Sequence, residues 1–182
     1  MRPRLKAAAC GLALALLATA PALAALKPGE KAPAFTAPAY LAGQPFTYDL
    51  SEALEKGPVV LYFFPAAHTP GCNLEAHLFS EAIDDFAERG ASVIGVTAGN
   101  TDELAEFSKE TEHCGGKFPV AADPGAKIAA RYDAVLEGKP EWSSRTSYVI
   151  APDGSIAAVH SEMNPSHHVK AMLEALDALA AD

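Results

Sequence analysis

The reading of this chain turns on PVVLYFFPAAHTPGCNLE, residues 58–75. Pro58 to Phe64 is an unbroken apolar run, rich in β-branched and aromatic side chains. Its length and composition suit a central strand buried on both faces. Beyond it, Leu78, Phe79, Ala82, Ile83 and Phe86 recur at helical spacing, and Arg89-Gly90 is a stop signal. Cys72 therefore falls at or just inside a helix N-terminus, where free backbone N–H groups and the positive end of the helix dipole favour a thiolate. Thr69 stands three residues earlier, where its hydroxyl could bond the sulfur or a bound oxyanion. Pro65 ends the strand and can wall a pocket without adding a competing donor. Free cysteines are commonly small buried hydrophobes. What singles out Cys72 is the spacing Pro65-x-x-x-Thr69-x-x-Cys72 between a buried strand and a helix.

The rest of the chain fits around this junction. Residues 27–45, rich in Pro, Ala and Gly, read as an irregular lead-in. Ser92–Thr97 (SVIGVT) reads as a second buried strand. Asn100-Thr101-Asp102-Glu103 looks like a cap and acidic first turn, with Leu104 and Phe107 on the helix it starts and Gly115-Gly116 as the break. A short strand at 118–121 and a short helix at 126–132 follow. The strands 146–150 and 155–160 flank the turn signal Pro152-Asp153-Gly154. The last helix starts near Asn164-Pro165 and should bury Val169, Met172, Leu173 and Leu176. Alternating strands and helices ending in a hairpin predict an α/β fold, a central mixed sheet flanked by helices, its first half parallel.

Arg2, Arg4 and Lys6, the apolar run 7–20 and the small-residue triplet 22–24 describe a secretory signal peptide, cut after Ala24. That leaves 25–182 as one domain. Cys10 would leave with the leader, and Cys72 and Cys114 would be the two remaining cysteines, too few for a disulfide-stapled scaffold. The chain carries a net charge of −9, and loss of the leader's three cations takes it to −12. An acidic chain with no basic block argues against nucleic acid or an anionic membrane as partner. The six histidines show no recognised metal-ligand spacing along the sequence, so no metal site is expected.

The motif Pro65-x-x-x-Thr69-x-x-Cys72, in its longer form from Phe63 to Glu75, resembles the signature of the peroxiredoxins (AhpC/TSA type). The chain is most similar to exported members of the bacterioferritin-comigratory, or PrxQ, branch. Phe118 to Asp123 and Arg145 to Gly154 extend the resemblance over nearly all of 25–182. It implies a thioredoxin-like fold and a thiol-dependent peroxidase acting on hydrogen peroxide and organic hydroperoxides, with no cofactor. It also implies a thioredoxin-like protein as reductant, while the leader predicts export to the bacterial periplasm, and a monomer is expected. By the same resemblance Arg145, just before the late strand, approaches the cysteine. Glu75 either holds that arginine or is a plain first-turn acid.

Two departures bear on the mechanism. Asn73 replaces a threonine, and His77 stands where many PrxQ proteins carry a second cysteine. Cys114 is then the one remaining candidate resolving cysteine, as in members that place it in the second helix; the other reading is a free thiol and a one-cysteine cycle. Two further functions stay open. A thiol–disulfide oxidoreductase of the same fold would use C-x-x-C, but the tetrapeptide here is Thr69-Pro70-Gly71-Cys72. A copper-handling or redox-sensing protein would use Cys72 with His68 or His77.

Overall fold

The computed structural model describes residues 25–181; the expected leader, with Cys10, lies outside them. Strand β1 (Thr36–Leu41) and β2 (Gln44–Asp49) lead into a short helix α1 (Leu50–Leu54). Strand β3 (Val59–Phe63) follows, then helices α2 (Pro70–Glu81) and α3 (Ile83–Glu88). Next come β4 (Ser92–Thr97), α4 (Leu104–Lys109), β5 (Val120–Ala122) and α5 (Lys127–Arg131). A small hairpin of β6 (Val135–Leu136) and β7 (Lys139–Ser143) precedes β8 (Thr146–Ile150), β9 (Ile156–Ser161) and the last helix α6 (His168–Ala181).

Seven strands form one sheet in the order β2-β1-β5-β4-β3-β8-β9. The central β3, β4 and β5 are parallel and the others pair antiparallel, so the sheet is mixed. Strand β3 explains the layering. All five of its residues are fully buried, as the unbroken apolar run requires. The pleat sends Val59, Leu61 and Phe63 into one core with Tyr132, Tyr148 and Ile150. It sends Val60 and Tyr62, with Phe64 just beyond, into the other core. That second core holds Phe79, Phe86, Phe107, Phe118, Cys72, Cys114 and the inner face of α6. Tyr62 stacks on Phe79 with ring centroids 4.4 Å apart, and Phe79 on Phe86 at 5.7 Å. Phe79→Ala should cost about 3–5 kcal/mol, the usual range for deleting a buried ring.

Several local expectations need correction. The lead-in is not irregular to residue 45: β1 and β2 pair across Ala42 and Gly43, both at positive φ (50° and 78°). Ala37 and Ala39 on β1 and Tyr48 on β2 are the hairpin's buried side chains, and two alanines out of three leave the inward face with little apolar signal. Its edge strand also tolerates Pro45, which cannot donate to a ladder. The helix expected to run unbroken to Arg89 is interrupted at Ala82 (φ −91°, ψ 8°), a break that leaves both Phe79 and Phe86 buried and stacked. Asn100 does stand at the N-cap position, of a single 3-10 turn (Thr101–Glu103) that precedes α4 and carries the expected acids Asp102 and Glu103. It sits in the left-handed region at φ 52° and makes no capping bond. Helix α4 ends at Lys109, so Cys114 lies in the turns beyond it rather than at its end. The β6–β7 hairpin, short and largely polar, carried no readable alternation.

Candidate active site

The loop from Pro65 to Thr69 connects β3 to α2. Thr69 is the N-cap residue, Pro70 opens the helix, and Cys72 follows within the first turn, 1% exposed. The first-turn N–H groups have no partners inside the helix. The chain folds this way locally because Pro70 pre-sets the first helical φ and needs no N–H bond. The Thr69 hydroxyl behaves differently from the sequence expectation: it donates to the Ala66 carbonyl at 3.0 Å instead of to the sulfur. That bond turns the side chain back and closes the loop.

Arg145 reaches the sulfur from the bend before β8. Its Nη2 donates to Cys72 Sγ at 3.4 Å, its Nη1 to Glu75 Oε2, and its Nε to the Met163 carbonyl at 3.1 Å. Three contacts fix one guanidinium plane, and Arg145 is 4% exposed. Burial works against its charge, but Glu75 and Cys72 outweigh this and raise its pKa. Burial in turn pushes the Glu75 carboxyl up, against the opposing pull of Arg145. Gly71 makes the approach possible: a Cβ there would lie 3.0 Å from Arg145 Nη2.

A further layer backs this group. Glu75 Oε1 lies 3.6 Å from Nδ1 of the fully buried His168. His168 Nδ1 bonds the Ser147 hydroxyl at 2.8 Å, and its Nε2 faces the Glu162 carbonyl at 2.9 Å. Nε2–H therefore donates to that carbonyl, and Nδ1 accepts from the hydroxyl. Burial first, then the charges of His160 and Arg145, push His168 down to about 4, so it is neutral at pH 7.

The loop itself is held from β4. The Thr97 hydroxyl donates to the Pro65 carbonyl at 3.1 Å and Asn100 Nδ2 to the Ala67 carbonyl at 2.8 Å, while Ala66 bridges Gly99. A Cβ on Gly99 would come within 2.4 Å of the Pro65 oxygen.

Of the residues singled out by sequence, Cys72, Glu75 and Arg145 thus meet at one buried point, with Pro65 and Thr69 on the adjoining loop. Cys114 is a free, fully buried thiol in the same apolar core, and its burial, with the nearby Glu110 charge, holds its pKa well above the ordinary thiol value. Thr97, Asn100, Ser147 and His168 escaped the sequence reading. Adjacent residues on a helix face different ways, and here His168 is buried while the His167 side chain is 61% exposed.

The comparisons agree with this geometry. Residues 28–159 match the sequence profile of the AhpC/TSA family. A Mycobacterium tuberculosis protein of the peroxiredoxin type is 33% identical over 150 residues, 79% of this chain and 90% of the relative. The chloroplastic peroxiredoxin Q of Sedum lineare is 28% identical over 123 residues, 67% of this chain and 64% of that protein. The crystal structure of peroxidoxin BcpB from Mycobacterium tuberculosis superposes with a TM-score of 0.73 at 31% identity, covering 85% of this chain and 98% of that one. The chain belongs to the AhpC/TSA family, the peroxiredoxins, whose members are thiol-dependent peroxidases.

Proposed function

We propose that this peroxiredoxin reduces hydrogen peroxide and organic hydroperoxides through Cys72. The observation that carries this reading is the Arg145 guanidinium, donating to Cys72 Sγ while Glu75 and the Met163 carbonyl hold it in place. The Cys72 thiolate attacks one peroxide oxygen, the O–O bond breaks, and the departing oxygen leaves as alkoxide or hydroxide and takes up a proton. Negative charge grows on that oxygen in the transition state. Arg145 and the unpaired N–H groups of the α2 first turn are donors already oriented to receive it. The product on the enzyme is a Cys72 sulfenic acid, two electrons more oxidised than the thiol.

Cys114 serves as the resolving thiol in this reading. Its sulfur attacks the sulfenic sulfur, forms the Cys72–Cys114 disulfide and releases water. A thioredoxin-like dithiol then takes the disulfide, becoming oxidised as the two cysteines are restored. Both thiols belong to one chain, so the cycle runs in a monomer. The leader read from residues 1–24 supports export to the periplasm, where the reductant would be an envelope protein.

Peroxide consumption by Cys72→Ser tests the central assignment. With thioredoxin supplied, the variant should keep the native circular dichroism spectrum and lose turnover. Near wild-type turnover would exclude Cys72 as the attacking group.

A further inference from the structure

Outside the Cys72–Arg145 point, one cluster gathers groups that the peroxidase chemistry does not use. His68 lies in the active-site loop, Glu110 just past α4, and His113 beside Cys114. His68 Nε2 lies 2.9 Å from Glu110 Oε2, and His113 Nδ1 lies 2.8 Å from the same oxygen. The three donor atoms all fall within 4.8 Å of one another. We infer that His68, Glu110 and His113 form a binding site for a divalent metal ion of the zinc class, tying the active-site loop to the Cys114 segment.

Four observations carry this. Two imidazole nitrogens and one carboxylate are the donor set that zinc takes in open, three-ligand protein sites. The other face of His68 is already committed, since its Nδ1 lies 2.5 Å from Glu103 Oε2. A ligand histidine that donates its second N–H to a carboxylate has its tautomer fixed and its free nitrogen made more basic, the arrangement found behind most metal-bound histidines. Both rings are also packed in place. His113 stacks on Phe107 at 4.8 Å and 24°, and His68 meets the same ring edge-on at 5.3 Å and 87°. Finally, the cluster is reachable: the side chains of His68, Glu110 and His113 are 29%, 31% and 12% exposed. Metal–ligand bonds of ~2.1 Å put tetrahedral donors about 3.4 Å apart. The observed spacings of 2.9 and 2.8 Å therefore need to open by a fraction of an ångström, within reach of a partly exposed glutamate.

The placement gives the ion a consequence, which rests on the reading of Cys114 as resolving thiol. His113 is bonded to Cys114 in the chain, and His68 lies between Pro65 and Cys72. Forming the disulfide requires a buried thiol to leave its packing. A metal bridging the two segments holds them closed, so it slows resolution without touching either sulfur.

Zinc titration of the reduced full-length protein, without peroxide, tests the site by calorimetry. One equivalent should bind. Affinity should fall at least tenfold in both His113→Gln and Glu110→Gln, with unchanged circular dichroism, and 10–100-fold in Glu103→Gln, the usual loss on removing a carboxylate behind a ligand histidine. The Cys72→Ser/Cys114→Ser double variant should bind as the parent does, and cobalt in place of zinc should show no thiolate charge-transfer band. Undiminished binding in His113→Gln and Glu110→Gln, or loss of binding in the double cysteine variant, would overturn the site. Stopped-flow measurement of disulfide formation after one equivalent of peroxide tests the tie. Zinc should slow it several-fold in the parent and leave His113→Gln unchanged, and equal slowing in both would overturn the tie. Because the titration uses no peroxide, its outcome is independent of whether Cys72 is the attacking group.

Discussion

At the scale of single residues, Arg145 is the group on which the proposed chemistry leans most. Arg145→Ala removes one oriented charged donor and should slow peroxide attack by about 10²–10³. Glu75 does not touch the sulfur; it positions Arg145. Glu75→Gln keeps an acceptor for Arg145 Nη1 and removes the ionisable carboxyl, so it should slow attack less, by about 10–10², the scale of a slightly misplaced catalytic group. The two side chains form one contact, so their effects should not add. The double variant should be no slower than Arg145→Ala in stopped-flow peroxide reduction, and a multiplicative loss would show that Glu75 acts by another route. Gly71→Ala is the matching steric test. A Cβ 3.0 Å from Arg145 Nη2 meets a guanidinium already fixed by Glu75 and Met163, so peroxide attack should slow while thermal stability changes little.

At the scale of elements, the proposed cycle closes only if the segment from Thr111 to Lys117 can open. It is a run of turns held by backbone bonds from His113 and Gly115 to Glu110, Gly116 to Ser108 and Lys117 to Cys114. Gly115 and Gly116 both sit at positive φ (58° and 69°). Turns with so few bonds open at low cost, whereas the Cys114 side chain inside them is packed in the core. Oxidation should therefore speed amide hydrogen exchange in 111–117 and leave β3 and β4 protected. The disulfide-bonded product should be a monomer lighter by two hydrogens. A covalent dimer, or a stable sulfenic acid, would replace the intramolecular step with a pairing between chains or a one-cysteine cycle. The β3–α2 loop is the opposite kind of element, anchored by Thr97, Gly99 and Asn100. Gly99→Ala drives a Cβ into backbone, not into a flexible side chain, and should cost about 1–3 kcal/mol in urea unfolding.

For the whole molecule, His168 is one group through which pH acts, opposite in sign to the buried Glu75 carboxyl, whose pKa is raised. The His168 pKa in the fold is about 4, below the ordinary histidine value of 6.5, so the folded protein binds that proton less well than the unfolded chain does. The stability it contributes is complete above pH 6.5 and is lost as pH falls from there through about 4. A difference of this size is worth at most about 3 kcal/mol. His168→Gln, which cannot charge, should flatten the dependence of urea stability on pH between 4 and 6.5; an unchanged slope would assign the acid sensitivity to other groups. Export is the other property of the whole chain. Envelope-fraction protein should begin at Ala25 on N-terminal sequencing, and uncut chain in the cytosol would refute the leader.

The sequence alone determined the class of the fold, because the short, β-branched and aromatic run 58–64, set among alternating strand and helix patterns, suits a strand covered on both faces. It also marked the candidate reactive position, since Pro65, Thr69, Pro70 and Cys72 are neighbours in the chain and their spacing survives folding. Arg145 was legible through family resemblance, because no local pattern marks an arginine 73 residues from its sulfur. The tertiary structure alone decided what lies beside what. The β1–β2 hairpin was hidden because its buried positions on β1 are alanines while Leu41 and Phe46 face outward, so no apolar alternation marks it. The His168–Glu75–Arg145 stack and the His68–Glu110–His113 cluster were hidden for a deeper reason. Their members come from separate elements, and hydrogen-bond geometry between separate elements is set by how the sheet and helices pack, not by any spacing along the chain.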